Sequence, residues 1–493
     1  MNALTRLSRL QAWIWGSAVS AIVACYYFVF YFPPRLVGAN DPDRFYHLAL
    51  SAQMASNGIL RTLPQAEDIG WGRYFPDKEF LFHALTGTAS WLAGPVGVLA
   101  VVPLLGIAIA LCLYLTLTRV LSPWRAGVLT SMGLLLSPIL IFRLTMLRPH
   151  LLAIFCFCLL LAAILRGRAW LAALAAAAFA LSYHAFYIPV IVVMVAAAIK
   201  WPQDKGRFRT WQWAAGGVIV GIILNPYFPS NLLMSWAHVK IALGIGLPAG
   251  LRSGNELLPL GFLEYLDYFG FLPTALIGTT VLVFVRKLRM EPQLAGFWFL
   301  FALSTLLVLL SFKSSRATEY AAPCVILLAG YGLGLVSQTR GLWLACLLLL
   351  LTQGHSAWTY YSDIWGKPQE GYSGWYLAAV NSLPADSTGL KVFNCEWAAG
   401  SYLLFARPTI RFVDLLEPAF LWQASPAKYL ARERLISGQD PDPRQTLRLQ
   451  FDADYVLCAI QPLNRQMESR PEQFEPVQPE QPTGPVRVFR ILD

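Results

Sequence analysis

The stretch VGANDPDRFYHLALSAQMASNGIL, Val37–Leu60, decides how the chain is read. It follows an apolar run that closes on Tyr31-Phe32-Pro33-Pro34. It sets Asp41, Asp43 and the pair Tyr46-His47 where a chain would leave a bilayer. The preceding run, Ala12–Phe32, is about the length a spanning helix needs. "IVAC", ending at Cys25, loosely fits a lipoprotein cleavage site. The apolar run continues past it, so the segment reads as an uncleaved first helix. The residues from Arg44 on have an amphipathic helical pattern that Gly58 would end, with Asp43 as N-cap.

Composition sets the class. The 493 residues are 56% hydrophobic and 13% charged, against about 25% charged in an ordinary soluble domain. Mean hydropathy is +0.52. These values describe an α-helical polytopic membrane protein. A net charge of +10 would fit a nucleic-acid partner in a soluble domain. In a membrane protein the excess Lys and Arg belong to short cytoplasmic loops, so no nucleic acid is expected.

Eleven apolar runs approach spanning length. They are Ala12–Phe32, Val96–Thr118, Trp124–Phe142, Leu151–Leu165, Ala169–Leu181, Ile188–Lys200, Ala214–Leu224, Phe271–Val285, Ala295–Phe312, Ala321–Val336 and Leu342–Thr352. With Arg6 and Arg9 inside, the inner connections receive Arg119 and Arg125, then Arg166 and Arg168. Further along they receive Lys200 to Arg209, Arg286 to Arg289, and Arg340. Every inner connection is short and basic, which predicts an N-in, C-out topology.

The transmembrane region then covers 1–356, with outer loops at 33–94 and 227–270, and 357–493 forms an outer tail. The polar residues concentrate on that outer face, which points to chemistry at the outer surface of the membrane. The setting expected is a bacterial inner membrane with the active site facing the periplasm.

In the tail, LKVFNCEWAAGSYLLFA, TIRFVDLLEPAFL, DADYVLCAI and PVRVFRIL alternate with helical or turn segments such as SPAKYLARERLISG. They predict a small extracytoplasmic α/β domain. Six cysteines fall in apolar runs and read as small hydrophobes. Cys395 and Cys458 lie in the tail, as a disulfide if it is periplasmic or as two isolated buried thiols.

Asp41 and Asp43 have three readings. One is helix capping with interface solvation. A second is a divalent cation, Mg or Mn, held by both carboxylates with positions open to phosphate oxygens. A third is a base taking a proton from an acceptor hydroxyl. His47, four residues after Asp43, shares its helix face.

DPDRFYHLALSAQMASNG resembles the first-loop motif of the catalytic subunits of oligosaccharyltransferases and their bacterial relatives, in the GT-C superfamily. Three further features agree in order: LRPHLLAIFCFCLLLAAILRGRAWLAALAAAAFALSYHAFYIPVIVVM, KSSRATEYAAPCVILLAGYGLG and FPDKEFLFHALTG. The resemblance covers roughly Ala12–Val336. It departs at Arg148-Pro149-His150, where the family often has a second acidic pair, and it lacks the Trp-Trp-Asp-type acceptor motif. N-glycosylation of Asn-x-Ser/Thr is therefore not expected.

The resemblance implies a glycosyltransferase that takes a sugar from a polyprenyl-phosphate or polyprenyl-pyrophosphate carrier. Its acceptor would be a glycan, lipid or protein. It casts Asp41 and Asp43 as catalytic or metal-holding residues and Arg316 as the contact to the carrier phosphate, with Arg148 and Lys313 assisting. Glu319, three residues on, is expected to pair with Arg316. His150 and His184 are site candidates or structural histidines, and Asp77 and Glu79 are site candidates or solvated acids. Glu256, Glu264 and Asp267 are candidates for acceptor binding. Two other readings stand beside this one: a transporter or flippase of a lipid-linked sugar, and a non-catalytic assembly protein.

Overall fold

The computed structural model describes residues 3–31, 41–199, 205–243, 245–248, 251, 261–286, 288, 291, 294–336, 339–366, 371–386, 388–479, 481 and 483–493. Glu256, and the side chains of Glu264 and Asp267, lie outside the described residues.

Among the described residues fifteen α-helices precede the tail: α1 (Ala3–Phe30), α2 (Pro42–Asn57), α3 (Phe80–Leu117), α4 (Pro123–Leu135), α5 (Pro138–Leu144), α6 (His150–Leu165), α7 (Ala169–Ser182), α8 (Tyr187–Ala198), α9 (Lys205–Leu224), α10 (Ser230–Leu243), α11 (Phe262–Phe269), α12 (Phe271–Arg286), α13 (Ala295–Ser311), α14 (Thr318–Val336) and α15 (Thr339–Gly366). Each of the eleven apolar runs falls on this helical set. The third is split into α4 and α5, because Pro138 disfavours helical geometry at the residue before it. Among the described residues three stretches are long and apolar enough to cross a membrane, Leu10–Val29, Phe80–Leu117 and Ser315–Leu335. The shorter apolar helices run 10–17 residues, a length tolerated inside a bundle or along a cavity.

Two backbone features shape this region. α3 starts within the segment 41–94 and bends at Ala93-Gly94 before Pro95, with Gly94 at φ 61°, a conformation that favours glycine. α7 and α9 lie backbone to backbone. A Cβ on Gly217 or Gly221 would stand 2.2 Å from the Ala173 carbonyl oxygen or 2.4 Å from that of Ala177. Small residues four apart permit that approach.

The tail holds α16 (Tyr372–Asn381), β1 (Lys391–Asn394), α17 (Trp397–Ala406), β2 (Arg411–Phe412), α18 (Pro418–Ala424), α19 (Pro426–Ile436), α20 (Pro443–Phe451), β3 (Tyr455–Cys458), α21 (Gln461–Glu468), β4 (Phe474–Pro476) and β5 (Arg487–Ile491). The sheet order is β2-β1-β3-β5-β4. β1 is parallel to β2 and β3, and β5 is antiparallel to β3 and β4. Strands β1 and β3 are buried at every position; β3 is an unbroken apolar run, while the polar ends of β1 are paired, Lys391 with Asp68 and Asn394 with the Asp414 carbonyl oxygen. Cys395 and Cys458 are joined as a disulfide. The sequence boundary at 356–357 falls inside α15.

Two hydrophobic cores result. One lies within the helical bundle. The other is shared by the tail and the segment 41–94, where Leu50, Leu63, Trp71 and Phe75 pack with Tyr402, Phe412 and Phe420. Asp68 of that segment is clamped by Lys391 at 2.7 Å and by Lys428. The first loop is thus a fixed wall, and it positions the N-terminus of α2.

Candidate active site

α2 begins at Asp41, whose carboxylate accepts from the Asp43 backbone N–H at 3.2 Å. Asp41, not Asp43, is therefore the N-cap. Pro42 takes the first helical position, where its missing N–H leaves nothing unsatisfied. Asp43 sits in the first turn. Arg148, two residues before α6, donates to both Asp41 oxygens, Nε to Oδ2 at 2.9 Å and Nη2 to Oδ1 at 2.6 Å. Its Nη1 lies 3.0 Å from Asp43 Oδ2. One guanidinium thus bridges both acids, and it engages the oxygens that a cation between them would use. This arrangement does not fit a metal at Asp41 and Asp43.

A second buried pair lies beside it. Arg143, in the last turn of α5, donates through Nε to Glu319 Oε1 at 2.6 Å. Glu319 thus finds its partner in α5, where the sequence reading had placed it with Arg316 three residues away. His150 Nε2 lies 2.9 Å from the Arg143 carbonyl oxygen. Arg316 donates to the Tyr183 hydroxyl at 3.4 Å, and Lys313 is exposed.

Histidines form a third group. Asp77 Oδ2 lies 2.8 Å from His83 Nδ1, and His83 Nε2 lies 2.8 Å from His47 Nδ1. All three residues are buried. The Asp77 carboxylate accepts, so His83 carries a proton on Nδ1, and one further proton lies between His83 Nε2 and His47 Nδ1. Glu79 stands 3.4 Å from Lys78 and 3.6 Å from His184 Nδ1. His184 stacks against His238 of α10, with ring centroids 4.4 Å apart.

Burial pulls the His47 imidazole well below its ordinary value, and His83 adds to the effect. Burial likewise pushes His184 down to about 4 against the partial support of Glu79. For Glu79 itself burial works upward, but Lys78, His184 and His47 together win. They hold its carboxyl well below the usual range. The site therefore keeps the His47 and His184 imidazoles neutral beside an ionised carboxylate.

These groups meet at one cavity of about 530 Å³. Of the residues expected from sequence, Asp43, His47, Glu79, Arg148, His150, His184, Lys313 and Arg316 line it. Asp41 and Glu319 stand one contact behind the wall, through Arg148 and Arg143, and Asp77 stands behind Glu79, whose backbone N–H donates to its Oδ1 at 2.9 Å. Five cations line it, Lys78, Arg143, Arg148, Lys313 and Arg316, against three carboxylates, Asp43, Glu79 and Glu417. That wall favours an anion. Apolar side chains from α8, α10 and α13 complete it, and the tail closes it with Leu416 and Phe420.

Sequence reading missed Lys78, His83, Arg143 and His238. Arg143 carried a signal, being a charge inside the apolar run of α5. His83 carried one too, four residues after Glu79. Nothing in the sequence places His238 against His184.

No protein-family model matches the chain, and no curated protein matches it in sequence. Solved structures do match. The Archaeoglobus fulgidus oligosaccharyltransferase in the apo form has a TM-score of 0.61 at 13% identity, over 91% of this chain and 69% of that one. AglB from Archaeoglobus fulgidus, in complex with an inhibitory peptide and a dolichol-phosphate, has 0.61 at 10% identity, over 90% and 69%. ArnT from Cupriavidus metallidurans in the apo state has 0.56 at 15% identity, over 99% and 98%. The chain thus shares its fold with the Archaeoglobus fulgidus oligosaccharyltransferase and with ArnT from Cupriavidus metallidurans.

Proposed function

We propose that the protein is a membrane glycosyltransferase. It moves a sugar from a polyprenyl-(pyro)phosphate carrier to a glycan, lipid or protein acceptor at the periplasmic face of a bacterial inner membrane. The observation that carries this reading is the composition of the cavity wall. An acid, Asp43, and the cations Arg148, Lys313 and Arg316 reach one apolar-sided cavity from separate stretches of chain. A polyprenyl phosphate needs a cationic rim and an apolar groove together. The dolichol-phosphate bound to AglB, which shares the fold, agrees with a ligand of this class.

The reaction is a direct displacement at the anomeric carbon. The acceptor heteroatom forms a bond to that carbon as the bond to the carrier oxygen breaks. The electron pair of the broken bond goes to the phosphate, and the acceptor proton goes to a carboxylate. Asp43 is the better placed acid, because it lines the cavity while Asp41 lies behind Arg148. Arg316 and Lys313 lower the energy of charge developing on the leaving phosphate. The Arg148 bridge keeps the Asp43 carboxylate in one position.

The test is transfer of a labelled lipid-linked sugar in proteoliposomes. Asp43→Asn removes the proton acceptor and should lower turnover by about 10²–10⁴-fold. Arg316→Ala should raise the carrier concentration needed for half-maximal rate. Full transfer by both variants would sink the mechanism. A labelled sugar that crosses the membrane with its covalent bonds unchanged would make the protein a flippase.

A further inference from the structure

We infer that His47, His83 and Glu79 form a binding site for one zinc-class divalent cation, with its open coordination position facing the cavity. One ligand atom from each lies within 4.8 Å of the other two, and all three residues are buried. Two imidazole nitrogens and a carboxylate are the donor set of a three-ligand zinc site that keeps a fourth position open.

The tautomers favour this assignment. Asp77 holds a proton of His83 on Nδ1, so Nε2 is the nitrogen that faces His47 Nδ1, 2.8 Å away. A single proton now lies between the two rings. A cation displaces that proton, to His47 Nε2 when it sits on His47 and to solvent when it is the second proton of His83, and two neutral rings then bind through lone pairs. Tetrahedral bonds of about 2.0–2.1 Å require the nitrogens to separate to roughly 3.3 Å. That shift is about half an ångström, within the reach of small side-chain rotations. Asp77 plays the part that carboxylates play behind metal-bound histidines, fixing the ring and raising its basicity.

The scaffold is rigid enough to hold such a site. His47 lies on α2, and His83 lies in the first turn of α3. One turn further along both helices, the Ser51 hydroxyl donates to Thr86 Oγ1 at 2.8 Å and fixes their register. Glu79 directly precedes α3. Its nearest partners, the Lys78 ammonium and the His184 imidazole, stand off at 3.4 and 3.6 Å, so its carboxylate is loosely held. This contrasts with Asp41, whose oxygens Arg148 grips at 2.6 and 2.9 Å. His47 and Glu79 line the cavity while His83 stands behind them. The fourth position therefore opens inward, where an oxygen of an anionic ligand can take it. That last role rests on the transfer reading above; the metal site itself does not.

The test uses the full chain purified in detergent, stripped with chelator, and titrated with Zn²⁺ or Co²⁺ without any sugar lipid. One Zn²⁺ per chain should be retained after dialysis, and Co²⁺ should give the intense visible absorption of a four-coordinate site. The paired variant His47→Gln with His83→Gln should abolish both signals. Asp77→Asn, which touches no metal, should weaken affinity by about 10–100-fold. His355→Ala, an exposed histidine on α15, should change nothing. The Co²⁺ spectrum of the unaltered chain needs no variant, so misfolding cannot mask the result. No retained metal in the unaltered chain, or equal retention by the paired variant, would overturn the inference. Metal binding with no sugar transfer would leave the site standing and remove the transfer reading.

Discussion

Arg148 closes on Asp41 with two parallel N–H donors, across 107 residues of sequence. The side chains are 12% and 3% exposed, so the pair is largely desolvated. Its third contact, to Asp43, makes Arg148 the residue that sets the distance between the two acids.

Arg148→Ala should therefore destabilise the protein strongly. It leaves Asp41 buried and unpaired, a cost on the order of 3–5 kcal/mol for broken buried pairs. Adding Asp41→Asn should recover a large part of that loss, because the stranded charge is gone. Thermal denaturation in detergent measures both. Equal melting temperatures for the single and double variants would refute the account. Arg148→Lys should not substitute, since an ammonium cannot match the fork on Asp41 and reach Asp43 as well.

Glu319→Ala should behave like Arg148→Ala for a related reason. It removes the carboxylate from Arg143, whose side chain is 9% exposed. Glu319→Gln should be milder, because its amide oxygen can still accept from Nε of Arg143. Since α14 begins two residues after Arg316, both variants should also raise the carrier concentration needed for half-maximal transfer. An alanine variant as stable as the parent chain would show that this pair does not hold the bundle together.

The helices were legible in the sequence because apolar runs are local signals. The tail's strands were legible for the same reason, since β1, β3 and β5 are short apolar or alternating runs. Pairings across the fold were not. Arg148 read as a phosphate ligand because a cation at an outer helix end suits that role. Its contact with Asp41 depends on how α2 docks on the bundle, which no local pattern encodes. Asp43 read as the cap because the amphipathic pattern begins at Arg44. Pro42 moves the start of the helix two residues upstream. The shared core between the first loop and the tail was equally invisible. Leu63 and Trp71 look like loop residues until Phe412 and Phe420 are brought against them.

Acid should destabilise the fold in two steps. The buried His184 imidazole titrates near 4 in the folded chain, against about 6.5 when unfolded. Between those values the unfolded chain binds the proton and the folded chain does not. Stability is thus complete above about pH 6.5 and falls as pH drops toward 4, by on the order of 3 kcal/mol. The depressed carboxyl of Glu79 acts lower down. Its contribution is present above the ordinary carboxylate value and is lost as pH falls through its folded value. His184→Asn should make the upper step shallower, with His47 and His238 still contributing to it, and should also shrink the lower one, because His184 helps hold the Glu79 carboxyl down. Denaturation midpoints measured from pH 7 to pH 4 would show it, and an unchanged slope between pH 6.5 and 5 would refute it.

The disulfide gives the last prediction. Cys395 and Cys458 close a loop with a sequence separation of 63. For a loop of that size, chain-entropy arguments give stabilisation of about 4 kcal/mol. The bond joins the end of β1 to the end of β3, at the centre of the sheet. Because the tail shares its core with the segment 41–94, loosening it should be felt at α2. Cys395→Ser with Cys458→Ser should lower the melting temperature of the tail. It should also expose the 61–76 segment to limited proteolysis, together with the tail. If the variant tail were cut while that segment stayed as resistant as in the parent chain, the two would be stabilised separately. The cavity wall at Leu416 and Phe420 would then have to be held by contacts other than the shared core.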